Sequence, residues 1–195
     1  MNFNHAILTS GICLMAATMA SAAPQNLIVN GDFDQIKNDQ AVGWTINKSQ
    51  DFVTDSFPTE ADQGRVAQIN FPKYDTHGAY FGQNINVQPH TNYRFSLKAR
   101  MNTGNIRIAV SGGDGNDKIN IVKMGRTSHL SMYPLFWDEA WSKNLVFAPN
   151  QWRTVTIDFD SDNVTKVYIS FGGYQRKGVY SFDDVSLIEM KEDLK

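Results

Sequence analysis

The feature that most constrains the fold is an alternation of apolar and polar residues with a period of two. In the stretch NYRFSLKAR (92–100), apolar residues occupy the odd positions and polar residues the even ones. The same alternation recurs at 106–110, 155–159 and 167–171. Successive side chains of a strand point to opposite faces, so the pattern predicts β-strands with one buried and one solvated face.

Turn-forming residues separate these predicted strands at short intervals. They occur at Asn30-Gly31, at 102–104, at 112–116, at 148–150 and at Gly172-Gly173. No long amphipathic helical pattern, internal repeat or linker interrupts the series. Many short strands divided by frequent turns predict an all-β chain folded as a single antiparallel β-sandwich.

The first 22 residues are typical of a secretory signal peptide. They contain no charged residue, carry an apolar run from Ala6 to about Ala20, and end in Ala20-Ser21-Ala22. The run is shorter than the roughly 20 apolar residues that a spanning helix needs. We therefore predict cleavage near Ala22, secretion to the extracellular space or the periplasm, and one domain over residues 23–195.

The composition of the chain argues against some classes of binding partner. The single cysteine lies in the predicted signal peptide, so the remaining domain depends on its hydrophobic core rather than on a disulfide. The net charge is −2 and basic runs are absent, which argues against nucleic acid as a partner. No other apolar run reaches membrane length, so no membrane span is expected.

The last predicted strand changes its phase. In VYSFDDVSLIEM (179–190), Tyr180 and Phe182 share one parity, whereas Val185 and Leu187 share the other. A β-bulge at Asp183-Asp184 would produce this slip. Two adjacent carboxylates at such a place are either solvated or neutralised by a bound cation.

Seven segments, taken in order, resemble carbohydrate-binding modules of families four and nine. Those near the two ends of the chain are the most informative. The segments are NLIVNGDFD (26–34), GW (43–44), GRVAQINF (64–71), NYRFSLKAR (92–100), QWRTVTIDF (151–159), KVYISFGG (166–173) and YSFDDVSL (180–187).

The resemblance implies a fold, a ligand class and a metal. The fold is a β-jelly roll of the galactose-binding-like type, in which both ends of the chain lie together. The ligand is a polysaccharide or another glycan. The metal is a structural Ca²⁺ whose acidic ligands match Asp34 and Asp183 here, an ion that requires hard oxygen ligands. The family usually has Glu at the position of Asp34, so the side chain of this ligand is one methylene shorter here.

The segment SHLSMYPLFWDEAWSKNLVF (128–147) carries two tryptophans outside the family motifs. Trp137 and Trp141 are four residues apart, so a short helical turn would place both indoles on one face. They form either a stacking platform for a sugar or an anchor that covers the sandwich. We expect Leu135 and Phe136 to pack inward and at least one tryptophan to border the binding cleft.

A second group of candidates lies in PKYDTHGAYFGQN (72–84). Sugar sites combine apolar ring faces with a few placed polar groups. The side chains of Tyr74, His77, Tyr80 and Gln83 could supply both, and Tyr174, expected on the loop before the last strand, could add another ring. For each of these residues a purely structural role remains open.

Three functions compete. The leading prediction is a secreted, non-catalytic carbohydrate-binding protein with no catalytic residues. The second is a polysaccharide lyase on the same fold, which would need a His or Tyr base and a cation beside a uronate carboxylate. The third is a protein-binding module that uses the aromatic segment as its contact. The candidates for lyase chemistry are His77, His129, Tyr74, Tyr133, Arg107 and Arg126.

Overall fold

The computed structural model describes residues 24–74, 77–113, 118–127, 145–174 and 176–190. Within these ranges every regular element is a β-strand. The strands are β1 (Ile36–Lys37), β2 (Gln40–Ala41), β3 (Thr45–Lys48), β4 (Thr54–Ser56), β5 (Thr59–Glu60), β6 (Gly64–Arg65), β7 (Ala67–Phe71), β8 (Gly78–Asn86), β9 (Asn92–Met101), β10 (Asn105–Gly112), β11 (Ile119–Thr127), β12 (Leu145–Phe147), β13 (Arg153–Asp160), β14 (Lys166–Tyr174) and β15 (Gly178–Glu189).

Most strands belong to two sheets that pack face to face. The larger sheet has six strands in the order β12-β11-β10-β14-β8-β3, and the smaller has five in the order β13-β9-β15-β7-β4. Within both sheets all neighbours are antiparallel except β11 and β12. The predicted antiparallel β-sandwich is confirmed.

The core follows directly from the alternation in the sequence. Buried residues of both sheets form one hydrophobic cluster, in which Phe171 of the larger sheet meets Phe182 of the smaller, with ring centroids 4.8 Å apart. Trp44 is also buried, and its indole N–H donates to the carbonyl of Asn30 at 3.0 Å. Such aromatic pairs stabilise by about 0.5–1.5 kcal/mol beyond their buried area.

The two ends of the described chain lie side by side. Leu27 donates its backbone N–H to the carbonyl of Leu187 at 2.8 Å. The Asn26 side chain accepts the N–H of Leu187 at 2.9 Å and donates to the carbonyl of Val185 at 3.2 Å. A Cβ on Gly31 would lie 2.0 Å from that carbonyl oxygen, so this close approach requires glycine.

The predicted β-bulge is present in β15. The register with β9 shifts between Asp183 and Ser186, and Asp184 has a φ of 49°. After the shift, Val185 and Leu187 point into the core, as Tyr180 and Phe182 do before it. The change of phase in the sequence is therefore a local feature of the backbone.

Several predicted features fall outside the described residues. These are the signal peptide, Trp137, Trp141 and the rest of 128–144. The described end of that segment is β12, whose Phe147 is 1% exposed and packs against Gly125. No helix in the described part of the chain is long and apolar enough to cross a membrane.

Candidate binding face

The six-stranded sheet has one side turned toward the core and one turned away from it. Opposite residues of an antiparallel pair point to the same side. Ile108, Phe171 and Phe81 are in register and buried, so the residues that alternate with them form the other side. We call this the outer face. Its described members include Asn47, Tyr80, Gly82, Asn84, Asn86, Asn105, Arg107, Ala109, Ser111, Val122, Met124, Arg126, Lys166, Tyr168, Ser170, Gly172 and Tyr174.

The middle of the outer face is built from small residues. One row across the sheet runs from Ala109 of β10 through Ser170 of β14 to Gly82 of β8. Ala109 is 3% and Ser170 is 7% exposed, so neighbouring side chains cover this row even though it faces away from the core. Small residues in this row allow larger side chains of neighbouring positions to lie across it.

Three tyrosines flank that row. Tyr168 lies over Gly82, because a Cβ at this glycine would be 1.8 Å from the tyrosine Oη. Tyr80 turns back over Gly78, where the corresponding distance to its Oη is 2.3 Å. Tyr174 is paired with Gly78 across the two strands. Glycine in β8 therefore lets two tyrosine rings lie down on the sheet.

Polar side chains stand beside the rings. Asn84 is opposite Tyr168, and Asn47 is opposite Tyr80 on the other neighbour of β8. The guanidinium of Arg107 lies over the Tyr80 ring, with its Cζ 5.6 Å from the ring centroid. Ring faces with amide and guanidinium groups at their edges are the combination that a polar, ring-shaped ligand requires.

The solvent side of the five-stranded sheet is different, because its polar groups are paired with one another. Arg94 forms two 2.8 Å hydrogen bonds with Asp158, and Ser96 shares a 2.8 Å hydrogen bond with Ser186. Further along β9, Lys98 pairs with Asp184 and Arg100 with Glu60. These contacts occupy donors that a ligand would otherwise use.

The structure distributes the predicted sugar-binding residues over several environments. Tyr80 is on the outer face and Phe81 is in the core, as the alternation predicts. Tyr74 is 58% exposed, and both Tyr74 and His77 precede β8. The sequence predicts Tyr174 on a loop, but it is the last residue of β14. Pairing with Gly78 extends the strand to that point.

Gln83 does not lie where a ligand residue would. It shares the parity of Phe81, points toward the core side and is 6% exposed. Its Nε2 donates to the carbonyls of Val29 and Gly43, and its Oε1 accepts the N–H of Val29 at 2.9 Å. Both amide hydrogens are used, so Gln83 holds the first segment of the chain, which favours a structural role over contact with a ligand.

Sequence reasoning missed Tyr168 and Asn84. The signal for Tyr168 was available, since it alternates with the buried residues Val167 and Ile169. The signal for a shared site was not, because the pairing of β14 with β8 joins segments more than 80 residues apart in sequence. The sequence suggests Arg107 and Arg126 only as candidates for lyase chemistry.

The two predicted metal ligands differ in exposure. Asp34 is exposed, whereas Asp183 is 2% exposed. Burial raises the pKa of Asp183 to about 6, and the negative charges of Asp184 and Asp32 act in the same direction. Among the described residues no group of three or more acidic, His or Cys side chains is arranged to hold a metal ion. The calcium site therefore stays a prediction.

Comparison with known proteins gives matches among solved structures only. No protein-family model and no curated protein matches the chain. A structure described as "CBM4 structure and function" is 25% identical, with a TM-score of 0.55 over 84% of this chain and 99% of that one. TmCBM61 in complex with β-1,4-galactotriose is 16% identical, with a TM-score of 0.54 over 85% and 99%.

A third similar structure is much larger. The enzymatically active domain of bacteriophage CBA120 tailspike protein 4 is 15% identical, with a TM-score of 0.60 over 85% of this chain. The match spans about a fifth of the tailspike chain (21%). Together these structures show that the chain has the jelly-roll fold of carbohydrate-binding modules, and the predicted resemblance is confirmed.

Proposed function

We propose that this chain is a secreted, non-catalytic protein that binds a poly- or oligosaccharide on its outer face. The observation that carries the proposal is the contrast between the two solvent-facing sides of the sandwich. One side carries tyrosine rings that lie flat beside amide groups, and the other carries polar groups that are already paired.

Each part of the outer face has a distinct role in this proposal. The C–H side of a sugar ring packs on Tyr168 and Tyr80, which supply apolar area together with rigid geometry. Asn84 and Asn47 donate to and accept from the sugar hydroxyls. The glycine at position 82 lets the Tyr168 ring lie against the sheet, where its outward side is available to a sugar. The carbohydrate-binding modules that share the fold support this ligand class.

The test is a glycan array with the purified chain, followed by titration of the best ligand against single variants. We expect Tyr168→Ala and Tyr80→Ala each to weaken binding at least about tenfold, the effect of losing a ring contact worth about 1.4 kcal/mol. Trp137→Ala and Trp141→Ala, measured beside them, show whether the segment 128–147 belongs to the site.

The matched control is Trp152→Ala, at a residue that lies just before β13 of the five-stranded sheet. That ring is half-buried, and the Arg100 guanidinium of β9 lies 4.6 Å from its centroid, so the substitution removes an aromatic side chain beside the other sheet. We expect its ligand affinity to equal that of the wild type. Equal losses of affinity in Tyr168→Ala, Tyr80→Ala and Trp152→Ala would contradict the proposal. So would an array on which no glycan is bound.

The absence of catalysis is tested separately. Uronate polysaccharides are incubated with the chain, and absorbance of unsaturated products is followed over hours. We expect no product. Product formation would instead support the lyase alternative, whose candidate groups within the described residues are Tyr74, His77, Arg107 and Arg126. Binding to a protein partner, without any glycan on the array, would support the third alternative.

Secretion and calcium complete the proposal. N-terminal sequencing of exported protein should give a first residue near Ala23, as the signal-peptide pattern predicts.

For Ca²⁺, the buried carboxylate of Asp183 beside Asp32 and Asp184 is the kind of oxygen-rich, negatively charged place that a hard cation neutralises. Asp34 is the second ligand implied by the resemblance, and backbone carbonyls would complete the coordination.

A further inference from the structure

The charged residues that the structure describes on the outer face are all positive. Arg107 and Arg126 project from β10 and β11, and Lys166 lies at the start of β14. No Asp or Glu occurs among the outer-face residues that the structure describes. The chain as a whole has a net charge of −2, so this local excess of positive charge does not follow from overall composition.

Several cations elsewhere on the sandwich are neutralised by carboxylates. Among the described residues, four Lys and Arg side chains form ion pairs with carboxylates, and all four lie away from the outer face. These pairs are Lys48 with Asp55, Arg94 with Asp158, Lys98 with Asp184, and Arg100 with Glu60. Within the described ranges neither Arg107 nor Arg126 has a carboxylate partner, so their positive charges are uncompensated by that part of the protein.

The two guanidinium groups are positioned on one corner of the outer face. Arg126 is opposite Asn105, and Arg107 is two residues further along the same strand, which makes the two arginines diagonal neighbours. Diagonal positions of a sheet are about 7–8 Å apart, within reach of long side chains. The contact of Arg107 with the Tyr80 ring at 5.6 Å places its charge beside a predicted sugar-stacking surface.

Building on the proposed function, we propose that the outer face selects acidic glycans and that Arg107 and Arg126 bind the anionic group. Guanidinium is planar, remains charged and pairs through two parallel hydrogen bonds with carboxylate or with a sulfate-like oxyanion. A sugar ring packed on Tyr80 carries its substituents toward Arg107. The same face would bind the neutral form of the polymer less tightly, because the guanidinium groups of Arg107 and Arg126 then lose water without gaining an anionic ligand.

The experiment compares two polymers that differ only in charge. Calorimetric titration of the full exported chain is carried out with sodium polygalacturonate and with the same polymer after methyl esterification. We expect the acidic form to bind at least about tenfold more tightly. Arg107→Gln and Arg126→Gln should each reduce that ratio several-fold, and raising the salt concentration should weaken only the acidic form.

The control is Arg94→Gln, which removes an exposed arginine from the opposite sheet and should keep the wild-type ratio. Dextran sulfate titrated against dextran shows whether sulfate or carboxylate is the preferred anion. Equal affinity for the charged and esterified polymers would overturn this inference and leave the proposed function standing. Binding of a neutral glycan on the array together with no binding of any charged polymer would also overturn this inference, whereas no glycan bound on the array would overturn the proposed function itself. If a variant fails to fold, the salt dependence of wild-type affinity for the acidic polymer still tests the inference. An affinity that does not change with salt would overturn it.

Discussion

At the scale of single residues, adjacent positions of β8 have opposite functions. Gln83 points inward and binds the backbone of Val29 and Gly43, whereas Asn84 points outward and is exposed. Their side chains carry the same amide group, so the residue types alone could not assign the roles. Strand parity assigns them, because neighbours along a strand face opposite sides.

We predict that Gln83→Leu lowers the free energy of unfolding by about 2 kcal/mol. The substitution leaves the N–H and carbonyl of Val29 and the carbonyl of Gly43 without their amide partner. Chemical denaturation measures the loss. Affinity for the glycan, measured well below the melting temperature, should stay at the wild-type value.

Asn84→Ala is the matched variant on the other face. We expect its stability to lie within about 0.5 kcal/mol of wild type and its glycan affinity to fall, because it removes an exposed amide from the outer face. A reversed result, with weak binding in Gln83→Leu and none of the expected destabilisation, would return Gln83 to the binding site.

At the scale of elements, the pairing of β8 with β14 creates the binding surface. Tyr168 of β14 reaches across to lie over Gly82 of β8, and the glycine is needed because a Cβ would collide with the tyrosine hydroxyl. The colliding atoms belong to the far end of a side chain on the outside of the sheet. The ring can therefore move away at little cost in stability while it loses its place on the outer face.

We predict that Gly82→Ala weakens glycan binding about tenfold while lowering the melting temperature only slightly. The physical reason is displacement of the Tyr168 ring. A double-mutant cycle with Tyr168→Ala checks it, since Gly82→Ala should have no further effect once the ring is absent. Additive losses in the double variant would show that Gly82 acts in some other way.

At the scale of the whole molecule, the region where the chain ends meet combines close backbone packing with a buried carboxylate. Asn26 binds the backbone around Val185 and Leu187, and Asp183 precedes the bulge on the same strand. Burial and the nearby charges of Asp32 and Asp184 disfavour the ionised form of Asp183. Joining the two ends therefore costs stability whenever that carboxylate is ionised without a cation.

The pH dependence of stability follows from this arrangement. The pKa of Asp183 rises from 3.8 to about 6 in the folded state, so the folded chain binds the proton more tightly than the unfolded chain does. In EDTA, the contribution of Asp183 to stability should be most favourable below about pH 4. It should become less favourable as the pH rises toward 6. At about 1.4 kcal/mol per pKa unit, the loss is at most about 3 kcal/mol.

Unfolding by denaturant between pH 4 and 7 measures this effect. Asp183→Asn should remove the decline in EDTA, whereas Asp184→Asn, which affects an exposed carboxylate paired with Lys98, should retain most of it. Excess Ca²⁺ should raise the melting temperature of the wild type at pH 7 and leave Asp183→Asn unchanged. A wild type that is indifferent to both EDTA and calcium would count against the calcium proposal.

The local pattern of the sequence determined the strands, their inward faces and the position of the bulge. These properties depend on each residue and its near neighbours, since side chains alternate along a strand wherever that strand is placed. Tyr80 and Phe81 were assigned to opposite sides for this reason. The motif order also indicated the jelly roll and the meeting of the chain ends.

Only the tertiary structure decided which strands lie next to one another, and therefore which side chains share a surface. Tyr168 meets Gly82, and Arg107 meets Tyr80, because β14 is hydrogen-bonded to both β8 and β10. That order is set by how two whole sheets bury their apolar sides together, a free energy summed over the entire core. Alternation within one strand carries no information about its partner, so the surface where we propose that sugars bind became visible only after the sheets were assembled.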